Sequence, residues 1–298
     1  MEIIRTIDWM KQTSRAARDS GRSIGFVPTM GALHDGHLSL VRAAVAAHKP
    51  VVVSIFVNPA QFGPKEDFAR YPRQLDKDAA MLESAGADYL FAPEASDIYP
   101  HGFRTHVDVE GLSDRLEGRI RPGHFRGVTT VVLKLLEIVQ PQTVYFGRKD
   151  AQQARILRQM AQDLDLDAEI SVQPIVRESD GLAMSSRNAY LNGEERRAAT
   201  SLSRALIAAA NTIKSGERNA SAIAQSAQDV LASEPLVKTD YVELVNEESL
   251  EPVTLLGRAC LLLIAASVGN PKEGKQPTRL IDNLLVTQDA TGKFQTTL

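Results

Sequence analysis

Short apolar runs alternate with longer stretches of helical spacing through the first half of the chain. Residues 24–28 (IGFVP) predict a buried strand, and residues 38–48 predict a helix, with Leu38, Val41 and Val45 on one face. Residues 51–57 (VVVSIFV) form a continuous β-branched run, the mark of a parallel strand covered on both faces. The same alternation continues with a helix over 76–85, a strand over 89–92 and a long helix over 128–139 that stops before Pro141. A strand over 143–146, a helix over 151–164 and a strand over 170–176 complete it. Strands separated by helices predict an α/β fold with a doubly wound parallel sheet, Rossmann-like, whose ligands sit beyond the carboxyl ends of the strands.

The rhythm then changes. Helical stretches over 194–214 and 220–232 precede strands over 241–245, 259–268 and 279–286. Helices followed by strands predict a smaller α+β domain. The expected division is 1–178 and 179–298, just before the polar loop 178–187, which Asp180-Gly181 marks as a turn and a mobile segment. The polar tail 287–298 is expected to fray.

Bulk composition narrows the classes. Of 298 residues, 43% are hydrophobic and 24% charged, as in an ordinary globular protein. A net charge of -3 removes the basic excess that a nucleic-acid partner demands. The single cysteine, Cys260, lies beside the apolar run 261–264 and suits a buried small hydrophobe. The N-terminal MEIIRTIDWMKQ lacks a signal pattern, and no apolar run approaches the ~20 residues of a membrane helix. No membrane partner and a cytoplasmic location are the expectations.

Candidate chemistry begins at Met30-Gly31-Ala32-Leu33-His34-Asp35-Gly36-His37, which joins a predicted strand to a predicted helix. A helix N-terminus offers unpaired N–H groups and a positive dipole end, both suited to phosphate. Two imidazoles there can donate to phosphate oxygens and stabilise a leaving pyrophosphate. Capping or packing is the plainer role for a histidine, and metal ligation would need further ligands. Neither a P-loop nor a G-x-G-x-x-G fingerprint occurs. Met184-Ser185-Ser186-Arg187 is a second candidate, because hydroxyls and a guanidinium grip phosphate together. The pair of motifs looks like the nucleotidylyltransferase superfamily and predicts an enzyme that adenylates a small carboxylic acid with ATP.

Further polar loops follow other strands. Asn58-Pro59-Ala60-Gln61-Phe62 either orients a small substrate or simply starts a turn. In Gly147-Arg148-Lys149-Asp150, followed by Gln152 and Gln153, Lys149 suits phosphate, Asp150 suits ribose or a helix cap, and Gln153 suits the pocket. The glycine-rich, basic stretch 121–127 (RPGHFRG) suits a cap for the helix after it. Asp76 and Asp78 are candidate outer contacts for Mg²⁺, although a solvated helix face with Lys77 is the favoured role.

Taken in order, PTMGALHDGH, VSIFVNPAQF, YPR, RPGHFRGV, FGRKD-QQ and DGLAMSSRN-YL resemble the pantothenate synthetase (pantoate–β-alanine ligase) family, from about residue 3 to 286. The resemblance implies ATP, pantoate and β-alanine as substrates, with a pantoyl adenylate between two steps. It implies Mg²⁺ with ATP, no tightly bound organic cofactor, and a homodimer; metal ligands stay unassigned. His34 and His37 would contact ATP phosphates, with His37 the family's assigned proton donor. Met30, Gly31, Ala32, Leu33, Asp35, Gly36, Gly147, Arg148, Lys149, Asp150, Val176, Met184, Ser185, Ser186 and Arg187 would complete the ATP site. Gln61 and Gln153 would hold pantoate, with Gln61 also near β-alanine. Arg148 stands where the family usually has glutamate, Ala60 where methionine is common, and residues 269–277 look like an inserted surface loop. A dinucleotide-forming nucleotidylyltransferase shares the histidine and serine motifs but gives no role to the glutamines. A non-catalytic binder would have no need of both histidines and the Ser-Ser-Arg set.

Overall fold

A computed structural model describes the chain, except Lys65 and residues 272–275. Two compact units emerge, Met1–Pro174 and Ile175–Leu298. The first runs β1 (Glu2–Ile4), α1 (Ile7–Asp19), β2 (Gly25–Thr29), α2 (Asp35–Ala47), β3 (Val51–Ile55), α3 (Leu75–Ser84), β4 (Tyr89–Phe91), α4 (Ala95–Ile98), α5 (Glu117–Ile120), α6 (His124–Val139), β5 (Thr143–Gly147), α7 (Ala151–Asp163) and β6 (Glu169–Gln173). The second holds α8 (Gly193–Ala199), α9 (Ser201–Lys214), α10 (Ala220–Ala232), β7 (Val237–Asn246), β8 (Ala259–Val268), β9 (Thr278–Gln288) and β10 (Phe294–Thr297).

The first unit is a six-stranded sheet in the order β1-β4-β3-β2-β5-β6, with every pairing parallel. Successive connections run from β2 through β3 to β4 on one side, then return to β5 on the other side of β2. The β2–β5 seam is therefore the topological switch point, where crossovers leave in opposite directions and open a crevice. Val51, Val52 and Val53 are buried, as a strand covered on both faces requires. Val27, Val41, Leu82 and Leu90 pack into the same core. The second unit is a four-stranded antiparallel sheet, β10-β9-β8-β7, whose apolar face meets α9 and α10 through Leu206, Ile213, Ile223, Leu262 and Leu284. Cys260 is a buried member of that core.

Several elements differ from expectation. The division falls a few residues before 178. Pro174 follows β6 directly and has no N–H for the ladder. Arg177 already belongs to the second unit, where its guanidinium bonds both carboxylate oxygens of Asp282 at 2.7 and 2.9 Å. The stretch 194–214 is two helices, broken at Thr200. The tail does not fray. Asp289 accepts from the N–H groups of Thr291 and Lys293, and this turn returns β10 antiparallel to β9. Those N–H bonds, with the Thr291 hydroxyl first among the causes, hold the Asp289 carboxyl down at about 2. β1 and α1 were not expected, because the buried face of α1 is Met10, Ser14 and Ala17, too small and polar to register as an apolar stripe. Among the described residues no helix is long and apolar enough to cross a membrane. Much of the 269–277 loop lies outside the described residues.

Candidate active site

Three loops leave neighbouring strands at the carboxyl edge of the first unit: one after β2, one after β3, one after β5. The β2 loop carries the histidines. Thr29 begins it by donating from Oγ1 to the Ser54 carbonyl at 2.8 Å and accepting from Gly31 N–H at 3.2 Å. Gly31 and Ala32 then take positive φ values of 80° and 51°. That geometry is natural for glycine and costly for alanine. Asp78 of α3 holds it in place: Oδ2 accepts from Ala32 N–H at 2.8 Å and Oδ1 from Leu33 N–H at 2.9 Å. Asp78 is only 1% exposed. It is neither the solvated residue nor the Mg²⁺ contact of the sequence reading, since both oxygens face inward to backbone donors. Asp76 and Lys77 are exposed. The N–H groups of Ala32 and Leu33 are thus already engaged, and donors for an anion must come from further along the loop.

His34 is the N-cap of α2, and its Nδ1 accepts from Gly36 N–H at 3.2 Å. An accepting Nδ1 puts the proton of the neutral ring on Nε2. His37 stacks one turn on, with ring centroids 4.1 Å apart. Its Nδ1 is buried with no hydrogen-bond partner among the described residues. Burial, then the neighbouring His34 and the Lys149 ammonium, push its pKa well below 6.5, so it is neutral at pH 7. The Lys149 influence ties the β5 loop to the β2 loop across the switch point.

In the β5 loop, Lys149 Nζ lies 3.5 Å from Asp150 Oδ2, and Asp150 makes no side-chain cap for α7. The capping role is not realised. Arg148, like Gly147, is half-buried. Gln153 lies on the first turn of α7, partly exposed, whereas Gln152 is buried. Gln152 accepts from Glu117 N–H and donates to the carbonyls of Leu112 and Arg115, fixing the approach to α5.

The β3 loop holds Gln61. Asn58, 1% exposed, accepts from Ala60 N–H at 3.2 Å and donates to the Gly127 carbonyl at 3.1 Å, so two backbone groups fix which way its amide points. Its Nδ2 then donates to Gln61 Oε1 at 3.0 Å, which leaves Gln61 Nε2 as the donor facing Met30 Sδ at 3.2 Å. Tyr99 adds an O–H donor to Asn58 Oδ1 at 2.8 Å, and burial drives its phenol up to about 12. Asn58 is both turn cap and orienter of Gln61. Ala60 is exposed. Sequence patterns gave no sign of Tyr99. Asp78 shares the apolar helix spacing of Leu75 and Leu82, and that spacing was the available signal.

Val176, Met184, Ser185, Ser186 and Arg187 belong to the second unit. Met184 N–H bonds the Val176 carbonyl at 3.0 Å, and Arg177 bridges Ala183. Ser185 caps a short 3₁₀ helix, Ser186–Tyr190, by accepting from Arg187 N–H at 3.3 Å. Arg196 bonds both Glu178 and Asp180 and so links α8 to the 178–187 loop.

The class that results is a doubly wound α/β enzyme with an H-x-G-H loop at its switch point. The sequence profile described as Pantoate-beta-alanine ligase matches residues 2–285. Pantothenate synthetases of Fervidobacterium nodosum and Heliobacterium modesticaldum are each 52% identical over 96% of this chain and 99% of their own. The pantothenate synthetase structure from Thermus thermophilus is 42% identical, with a TM-score of 0.88 over 95% of this chain and 98% of that one. The Francisella tularensis pantoate–β-alanine ligase, complexed with "Beta-gamma ATP" and β-alanine, is 34% identical, with a TM-score of 0.75 over 95% and 97%. The chain belongs to the pantoate–β-alanine ligase family, and it is an ATP-dependent ligase of pantothenate biosynthesis.

Proposed function

We propose that the chain joins pantoate to β-alanine through a pantoyl adenylate formed at the β2–β5 switch point. The observation that carries this is the convergence there of His34, His37 and Lys149, with Gln61 tied to Met30 from the neighbouring loop. A pantoate carboxylate oxygen attacks the α-phosphorus of ATP, and pyrophosphate leaves. The β-alanine amine then attacks the acyl carbon, AMP leaves with the acyl oxygen, and the amine loses a proton.

His37 faces the phosphates as a neutral donor beside His34, and Lys149 adds a positive charge to the same region. This modifies the family's proton-donor role for His37. A ring held well below 6.5 is not an imidazolium at pH 7 in the free protein. Pyrophosphate needs stabilised charge to leave, not a proton. Met30, Gly31, Asp35, Gly36, Gly147, Arg148 and Asp150 line the same nucleotide region, with Ala32 and Leu33 shaping the loop. Val176, Met184, Ser185, Ser186 and Arg187 are proposed as nucleotide contacts on the motif match alone. Gln61 and Gln153 bind pantoate, Gln61 presenting N–H donors to its oxygens. Among the described residues no cluster of three or more His, Cys, Asp or Glu side chains is placed to hold a metal ion. Following the family, Mg²⁺ enters on the phosphates of ATP, as part of the substrate. A homodimer, following the family, is checked by sedimentation.

Radiolabelled ATP, Mg²⁺ and pantoate without β-alanine should release one burst of pyrophosphate per site, and AMP should follow only when β-alanine is added. Pyrophosphate release that requires both acids from the start refutes the adenylate. His37→Ala should slow the burst by roughly 10²–10³ with a smaller effect on ATP binding.

A further inference from the structure

The stretch 121–127, expected to cap α6, does something else. The N-cap of α6 is Gly123, which has no side chain to cap with. Arg121 and His124 turn instead toward the β3 loop and the main-chain carbonyl of Gln61. His124 Nδ1 lies 2.8 Å from that oxygen and Arg121 Nη2 lies 3.4 Å from it. On its far side Arg121 is anchored by Glu66, with Nε to Oε1 at 2.8 Å and Nη2 to Oε2 beside it. Arg121 Nη1 meets His124 Nε2 at 3.1 Å.

The protons in this cluster have one consistent arrangement. A carbonyl only accepts, so His124 Nδ1 carries the proton. A guanidinium only donates, so Nε2 must accept and be bare. His124 is then a neutral link between a charged anchor and a neutral carbonyl. Burial, reinforced by the Arg121 charge, holds it down at about 4 against the opposing pull of Glu66, Glu117 and the Gln61 bond. Glu66 is pushed up by burial, but the Arg121 guanidinium, bonded to it, outweighs that and holds it below the usual carboxylate range.

We propose that Glu66, Arg121 and His124 are positioning residues that set the acid-binding specificity of the site by fixing Gln61. The inference rests on Gln61 binding pantoate. Gln61 is held at both ends: Asn58 Nδ2 grips its side-chain oxygen at 3.0 Å, and the cluster grips its main-chain oxygen. What stays adjustable is Nε2, whose partner in the free protein is the Met30 thioether, a weak acceptor. A carboxylate or hydroxyl oxygen of the substrate replaces that sulfur at a gain, provided that the glutamine does not have to be ordered first. The cluster supplies that order through a short, charge-anchored chain. Its members make no contact with the reacting atoms in this role.

The test is a kinetic double-mutant cycle on the full chain. His124→Leu should raise KM for pantoate about tenfold while leaving KM for ATP unchanged, and His124→Asn, whose amide can still donate, should recover most of it. Glu66→Gln should raise the same constant by a smaller factor, and it serves where His124→Leu fails to fold. In Gln61→Ala the His124→Leu change should have no further effect, because two residues that act through one contact are not additive. Full additivity in that double variant, or equal rises in both KM values, overturns the proposal. If Gln61→Ala leaves KM for pantoate unchanged, the assignment of Gln61 to pantoate fails instead, and the two failures are told apart by that one variant.

Discussion

Asp78→Asn is nearly isosteric and isolates the polarity of one buried group. The carboxylate accepts from Ala32 and Leu33 with one oxygen each, at 2.8 and 2.9 Å. An asparagine offers one oxygen and one NH₂. One backbone N–H keeps a partner, through a weaker neutral bond, and the other faces a donor. A buried N–H left unpaired costs about 1–3 kcal/mol, and the change from charged to neutral acceptor costs about 1 more. Against this, a neutral amide is spared part of the carboxylate's desolvation. The net is about 2 kcal/mol. Ala32 adds to the sensitivity, because its φ of 51° is tolerated only while the loop is tethered.

The direct assay is amide exchange. A loss of about 2 kcal/mol should make the Ala32 and Leu33 amides exchange roughly 30-fold faster than in the parent. Calorimetry should show the transition lowered by about 4–8 °C. Because His34 follows directly, adenylate formation should fall by about 10- to 100-fold, as for a catalytic group displaced by some fraction of an ångström to an ångström. If exchange at Ala32 and Leu33 is unchanged, Asp78 does not hold the loop, and the reasoning fails whatever the activity does.

Gly127→Ala should be severe for a different reason: an added Cβ would lie 2.3 Å from the Ala60 carbonyl oxygen and 2.7 Å from Gln61 N, so the β3 loop must move. About 1–3 kcal/mol of stability and a raised KM for pantoate are expected, measured by denaturant titration and initial rates; a silent substitution would contradict the packing. His124 predicts a pH dependence. With 6.5 unfolded and about 4 folded, both states are neutral above pH 6.5, and below it the unfolded chain gains a proton that the folded one refuses. Its stabilising share is intact above pH 6.5 and declines by about 3 kcal/mol as pH falls toward 4. Urea midpoints should show this slope shrinking in His124→Asn; an unaltered slope places the titration elsewhere. For His37, ring carbon shifts in NMR should show no protonation near pH 6.5 in the free protein, and bound ATP, by its negative charge, should raise the midpoint. A free-protein midpoint at 6.5 would remove the neutral-donor role.

The parallel sheet was legible because its signals are local. The runs around Val27, Val53 and Val144 are apolar and punctuated by glycine or proline, and each lies where a strand was expected. Elements with small or polar buried faces were not legible, as α1 shows with Ser14 and Ala17. β10 was hidden for a related reason: a single partly buried aromatic, Phe294, packs on the core in a polar tail, and the turn at Asp289 folds the chain back.

The site divides in the same way. His34, His37 and Lys149 could be found because chemistry-bearing residues next to glycine, at the ends of strands, are a pattern along the chain. The groups that orient Gln61 form no such pattern. Asn58, Tyr99, Arg121 and His124 reach it from three separate segments, and each has an ordinary local role available, whether turn, helix end or cap. What distinguishes them is that their polar atoms are satisfied by one another across the fold. Asn58 spends its oxygen on Ala60 N–H and Tyr99 and its nitrogen on Gly127 and Gln61. A polar residue so fully engaged has nothing left for a substrate. The residue it serves, Gln61, is the one whose better donor still faces only a sulfur. Unequal satisfaction of neighbouring polar groups therefore separates the group that binds from the groups that hold it. That distinction appears only once the chain is folded.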